Sequence, residues 1–148
     1  MLYEKTPYNF ENRREEMKYT HLGRTGLEVS RLCLGTMNFG PQTEKEAAFT
    51  MMSKAMDEGI NFFDTADVYG SFEPGKDRGK SEAIIGAWLA EDKRRRDNIV
   101  LATKVFGAMT GRGCNDEGLS AYKITRCCEA SLTRLQTDHI DLYITCTA

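Results

Sequence analysis

Four short apolar runs, separated by helical patterns, constrain the fold of this chain more than any other feature. The runs lie at residues 31–36, 60–63, 99–102 and 140–144. Strands that alternate with helices imply parallel pairing with right-handed crossovers, and nearly continuous apolar strands fit a sheet that helices cover. We therefore predict an α/β fold in which three helices connect four parallel strands.

Local patterns predict the elements around these strands. Residues 18–22 and 27–30 flank a turn between Gly23 and Gly26, which indicates an N-terminal β-hairpin. Thr43 and Glu46 have the spacing of a capping box. The apolar faces of the three helices are predicted at Ala48, Met51, Met52, Ala55 and Met56, at Ile84, Ile85, Trp88 and Leu89, and at Ile124, Cys127, Cys128, Ser131, Leu132 and Leu135.

Length and charge set limits on domains and partners. A chain of 148 residues suits one domain, and we assign residues 17–148 to it and residues 1–16 to a flexible N-terminal extension. The extension has no apolar segment of the kind that a signal peptide needs. The net charge of −2, with both signs mixed, gives no reason to expect nucleic acid or a membrane as partner.

Cysteines and the densest basic run are interpreted as structural. The five cysteines form no CxxC pair, which favours a reducing, cytoplasmic compartment. Cys127 and Cys128 are predicted to be small buried hydrophobic residues, because adjacent helical positions suit a shared metal poorly. Residues 93–96 are basic and flanked by acidic residues, so we expect a solvated helix end.

Polar side chains follow the second and third apolar runs. Asp64 and Tyr69 come after the second run and Lys104 after the third, so we expect them at one rim of the sheet. A neighbouring ammonium stabilises a tyrosine's phenolate, and such a tyrosine can protonate a carbonyl oxygen as hydride reaches the carbon. Taken singly, the aspartate and the lysine also fit structural roles, as a loop cap and a solvated charge.

Five segments together resemble the aldo-keto reductases. They occur in the order that this family has, at residues 23–37, 59–70, 81–82, 102–104 and 139–143. The most specific segment reads Phe-Asp-Thr-Ala-Asp-Val-Tyr-Gly, from Phe63 to Gly70. The resemblance extends from about Met17 to Tyr143.

The resemblance implies a fold, a cofactor and roles for individual residues. The fold is the N-terminal half of a (β/α)8 TIM barrel, closed at its bottom by the hairpin, and the cofactor is NADP(H). Tyr69 is the implied proton donor to a small aldehyde or ketone, with Lys104 and Asp64 in support, and no metal is implied. The positions that approach the nicotinamide ribose are Gly35, Thr36, Met37 and Asp64.

Two departures from the family bear on the activity of the isolated chain. A complete barrel needs about 250 residues, and by the resemblance the missing half would supply the aromatic residue that stacks on the nicotinamide, the carboxamide contacts and most of the phosphate contacts. The family usually has a catalytic histidine after the fourth strand, where this chain has Cys146. We expect His21 and His139 to be structural or surface residues. A frameshift near codon 144, a divergent tail and a deliberately shortened chain all stay open.

Two functions follow from these observations. The first is an NADP(H)-dependent carbonyl reductase, which Asp64, Tyr69 and Lys104 favour. The second is a catalytically inactive half-barrel that acts as a binding or regulatory piece or has no function, which the length and Cys146 favour. The open edges of such a half-barrel predict self-association.

Overall fold

A computed structural model describes residues 17–71, 73, 75–111, 113 and 115–146. The extension predicted at residues 1–16 lies outside the described residues, as does Cys114. In chain order the elements are β1 (Tyr19–His21), β2 (Glu28–Ser30), β3 (Cys33–Gly35), α1 (Lys45–Asp57), β4 (Phe62–Asp64), α2 (Lys80–Glu91), α3 (Arg94–Asp97), β5 (Val100–Val105), α4 (Ala121–Leu135) and β6 (Leu142–Thr145).

The strands form two sheets. β1 and β2 pair antiparallel, with Tyr19 opposite Ser30, and make the predicted hairpin. β3, β4, β5 and β6 lie side by side in that order, and all three pairings are parallel. The predicted hairpin and four-stranded parallel sheet are therefore confirmed.

The core lies where the helices pack on the sheet. Phe63 of β4 and Trp88 of α2 are both 0% exposed, and their rings stack with centroids 5.6 Å apart. The Trp88 indole N–H donates to the Ser53 hydroxyl at 3.0 Å, which satisfies its one polar atom. Burial of a side chain such as Phe63 contributes roughly 1.5–3 kcal/mol, so this stack ties β4 to α2.

The start of α1 differs from the prediction. Glu44 is the N-cap, and no side-chain hydrogen bond caps the helix, so the predicted capping box does not form. The backbone of Thr43 instead bonds to Asn38 and Gly40 within a turn. Met51 is also not part of the core, because it is 49% exposed on the solvent side of the helix.

The basic run at residues 93–96 is not a solvated helix end throughout. It contributes to the one-turn helix α3, a fourth helix that the sequence did not predict, and Arg96 is buried. The Arg96 guanidinium donates to the Asp141 carboxylate at 2.7 Å and to the Ile99 carbonyl at 3.2 Å. A buried charge needs such partners, and Arg96 therefore fastens α3 to the segment before β6.

The buried face of α4 is narrower than predicted. Cys127 and Leu135 are buried as expected, whereas Cys128 is only half-buried. Lys123 takes a buried position at the first turn, where its ammonium donates to the carbonyls of Gly107 and Asp116. Loop carbonyls thus allow a lysine on a face that sequence periodicity assigned to apolar residues.

Candidate active site

The strand register places Asp64 and Lys104 at the same rim. Asp64 ends β4 and pairs with Ala102 of β5, so Lys104 lies two residues farther along on the same face of the sheet. Lys104 is inside β5 rather than after it, because the strand continues to Val105. Tyr69 follows in the loop after β4, where its amide donates to the Ala66 carbonyl in a turn.

The structure brings the three side chains into direct contact. Lys104 Nζ donates to Asp64 Oδ2 at 2.6 Å and to the Tyr69 hydroxyl at 3.2 Å. It also donates to the Thr65 carbonyl at 2.8 Å, so all three protons of the ammonium have acceptors. The ammonium lies 4.7 Å from the centroid of the Tyr69 ring. The predicted meeting of these residues is observed, and their chemical roles stay a prediction.

Lys104 is held in its charged form. Burial by itself lowers the pKa of the ammonium, but the hydrogen bonds to Asp64 and Tyr69 and their negative charge raise it more. The net result is a pKa above the ordinary value for lysine. Lys104 therefore supplies a fixed positive charge beside the Tyr69 oxygen at neutral pH.

The residues that the family resemblance places near the cofactor differ in how exposed they are to solvent. Gly35 pairs with Asp64 in the register, is exposed, and has no heavy atom within 4 Å of the place where a Cβ would stand. Met37 is 50% exposed. Thr36 is 0% exposed, and its hydroxyl donates to the Asp64 carbonyl at 3.0 Å. Gly35 and Met37 are therefore accessible at the surface, whereas the Thr36 side chain is buried and supports the backbone of Asp64 from beneath.

A small cavity adjoins Tyr69. Its volume is about 110 Å³, and it is lined by Met37, Pro41, Val68, Tyr69, Gly70, Ser71 and Arg78. Ligand pockets usually measure about 300–1,000 Å³, so this cavity has room for a small group beside the phenol. A larger cavity of about 440 Å³ lies between α4 and the loop residues Met109, Thr110, Gly113, Asn115 and Asp116, and none of the three rim residues lines it.

Two buried carboxylates near the rim escaped the sequence reasoning. Glu82 is 0% exposed and accepts from the Thr103 hydroxyl at 2.6 Å and from Arg134 Nε at 2.7 Å. Asp67 is 1% exposed. Burial, and then the charge of Glu82, raises the pKa of Asp67 to about 6. The sequence did hold a signal that these acids are buried, because each adjoins apolar residues: Asp67 lies between Ala66 and Val68, and Glu82 precedes residues 83–85.

Among the described residues, His21, His139 and Cys146 make no hydrogen bond to Asp64, Tyr69 or Lys104. His21 and His139 are exposed, as expected, and His139 Nδ1 lies 2.6 Å from Asp138 Oδ1. Cys146 follows β6, where its amide donates to the Val105 carbonyl at 3.2 Å.

Within the described ranges no three His, Cys, Asp or Glu residues are grouped as metal ligands. None of the helices in those ranges is long and apolar enough to cross a bilayer.

Comparison with known proteins gives a consistent picture. Residues 31–145 match the model of the aldo/keto reductase family. A Bacillus subtilis protein named "Uncharacterized oxidoreductase YrpG" is 58% identical over 130 residues, which cover 86% of this chain and 39% of that protein. A "Probable voltage-gated potassium channel subunit beta" of Arabidopsis thaliana is 39% identical over 127 residues, or 85% of this chain and 36% of that protein. The rice protein of the same name is 38% identical over an equal length. The chain thus spans less than half the length of these curated relatives.

Proposed function

This chain belongs to the aldo/keto reductase family, and from that membership we propose that it carries the proton-donating part of an oxidoreductase that reduces aldehydes or ketones with NADP(H). The family fold is a (β/α)8 barrel, of which the parallel sheet β3–β6 and its helices form a part. The observation that carries the proposal is the contact of the Lys104 ammonium with both the Tyr69 hydroxyl and the Asp64 carboxylate.

The rim residues divide the chemistry among them. Bound NADP(H) would supply the hydride that reaches the carbonyl carbon. Tyr69 donates its hydroxyl proton to the carbonyl oxygen, and the Lys104 ammonium stabilises the phenolate that remains. Asp64 accepts from Lys104 and keeps it in place and charged. Gly35 and Met37 leave the surface beside Asp64 open for the nicotinamide ribose. We place this chemistry in the cytoplasm, since the cysteine pattern fits a reducing compartment.

A second candidate function is a binding or regulatory role without catalysis. Two relatives carry the name of a potassium channel β subunit. Because the chain is similar to a segment of these proteins, their names favour a binding or regulatory role. Cys146 in the place where the family usually has a histidine favours it as well. Under this alternative the chain keeps Tyr69 and Lys104 but does not reduce a carbonyl substrate.

Self-association is part of the same proposal. β3 and β6 are the edge strands of the sheet among the described residues. Cys33 and Phe62 pair across β3 and β4 on the face that carries Asp64, and Cys33 is exposed. Unpaired edges beside a partly apolar face favour association with another chain. The partner that we propose is a second copy.

A graft into the Bacillus subtilis relative tests the catalytic proposal. Residues 17–143 would replace the matching segment of that protein, and oxidation of NADPH by a panel of aldehydes and ketones would be followed. We expect Tyr69→Phe to lower turnover roughly 10²–10⁴-fold. Tyr122→Phe, at a tyrosine that is 56% exposed, is the matched control.

Two outcomes decide between the candidates. If the graft turns over substrate and Tyr69→Phe leaves the rate unchanged, Tyr69 is not the proton donor. If the graft binds NADPH, as Trp88 or cofactor fluorescence reports, but shows no turnover while the parent does, the non-catalytic function is favoured. The isolated 148-residue chain is expected to show little or no turnover, because much of the cofactor's orientation is lost.

A further inference from the structure

Three buried hydroxyl groups meet directly beneath the rim. Thr36, Thr65 and Ser81 are each 0% exposed, and they come from the loop after β3, the loop after β4 and the start of α2. Ser81 Oγ lies 2.9 Å from both the carbonyl and the hydroxyl oxygen of Thr36. It lies 3.1 Å from Thr65 Oγ1. Ser81 is therefore the member that touches both of the others.

The number of protons fixes the direction of these hydrogen bonds. Each hydroxyl has one proton to donate and two lone pairs that accept. Thr36 Oγ1 donates to the Asp64 carbonyl at 3.0 Å, so its proton is not available to Ser81. Ser81 consequently donates its one proton to Thr36, whose carbonyl and hydroxyl oxygens are both 2.9 Å away, and Thr65 donates to Ser81. In this arrangement all three protons are used, and Thr36 connects Ser81 to the backbone of Asp64.

The same three residues contact every part of the rim site. The Ser81 amide donates to the Tyr69 carbonyl at 3.3 Å. The Thr65 carbonyl accepts from Lys104 Nζ at 2.8 Å. Since Thr36 bonds to the Asp64 carbonyl, one buried serine is linked to the segments that hold the acid, the ammonium and the phenol.

We propose that Ser81 is a positioning residue, whose hydroxyl holds Asp64 and Thr65 so that the Lys104 ammonium stays between Asp64 and Tyr69. The catalytic meaning of this role rests on the proposed function, but the role itself is a property of the folded chain. Ser81 touches no reacting atom and acts through Thr36 and Thr65. Removal of its hydroxyl leaves Thr65 Oγ1 without its acceptor in a fully buried place.

The test is the titration of Lys104 in Ser81→Ala, followed by NMR of labelled lysine side chains in the whole chain. Loosening of the hydrogen bonds to Asp64 and Tyr69 should lower the pKa of Lys104 toward its ordinary value, since those bonds hold it above that value. Ser131→Ala is the matched control, because Ser131 is also a 0% exposed helical serine and accepts from Arg134 at 3.2 Å. It should leave the Lys104 titration unchanged.

Thr65→Val keeps the test decisive if Ser81→Ala does not fold. This variant retains the carbonyl that accepts from Lys104 and removes only the hydroxyl that meets Ser81, so it should lower the Lys104 pKa in the same direction. In the double variant the two effects should add only in part, because both variants break the contact between Ser81 and Thr65, whereas Ser81→Ala alone also breaks the contact to Thr36. An unchanged Lys104 titration in the folded variants, or an equal shift in Ser131→Ala, overturns the proposal. Absence of turnover in the grafted enzyme would instead count against the proposed function alone.

Discussion

Substitution of Asp67 by asparagine tests how much one buried carboxylate costs the fold at neutral pH. Asp67 is 1% exposed, and its Oδ2 accepts no hydrogen bond from the residues that the structure describes. Burial raises the pKa of the carboxyl, the charge of Glu82 adds to the effect, and the pKa reaches about 6. Lys123 and Arg134 oppose this shift without cancelling it.

The sign and size of the effect follow from proton linkage. An aspartate in the unfolded chain has a pKa of about 3.9, so the pKa of Asp67 is about 2 units higher in the folded state. Between about pH 4 and pH 6 the folded state binds more protons than the unfolded state, and stability falls as the pH rises. Above this window the loss of folding stability is complete. A shift of about 2 pKa units, at about 1.36 kcal/mol per unit, makes the total loss about 3 kcal/mol.

Urea unfolding followed by Trp88 fluorescence measures this loss. The free energy of unfolding of Asp67→Asn, minus that of the parent chain, should increase by about 2 kcal/mol from pH 4 to pH 8, because part of the loss already occurs below pH 4. Asp57→Asn, at an exposed site in α1, controls for removal of one negative charge. A difference that stays constant over this range would refute the assignment of a buried, proton-binding carboxyl at position 67.

Two further predictions concern packing and assembly. Gly86→Ala should destabilise the chain by about 2 kcal/mol or more, because a Cβ there would overlap the Arg134 carbonyl oxygen and force α2 away from α4. Gly26→Ala, which meets no atom within 4 Å, is the control, and equal unfolding free energies in urea would contradict the argument. Self-association through β3 and β6 predicts dimers or larger species in sedimentation, and a monodisperse monomer with sharp near-UV circular dichroism would end that proposal.

The sequence carried enough local information to predict the frame of the fold and the members of the rim contact. The alternation of apolar runs and helical patterns depends on residues a few positions apart, so β3–β6 could be identified one at a time. The rule that strand ends share a rim then brought Asp64 and Lys104 together without knowledge of packing. Tyr69 followed from the loop that continues β4.

Only the tertiary structure decided which buried polar groups find partners. Arg96 and Asp141 are 45 positions apart, and Arg134 and Glu82 are 52 apart, so no local pattern links either pair. For the same reason the sequence assigned the basic run to solvent. Ser81 contacts Thr36 across 45 positions, and this contact forms only because the start of α2 packs against the loops that follow β3 and β4. Periodicity reports which side of an element is buried, whereas hydrogen-bond partners depend on how the elements pack, and that packing determines the support beneath the rim site.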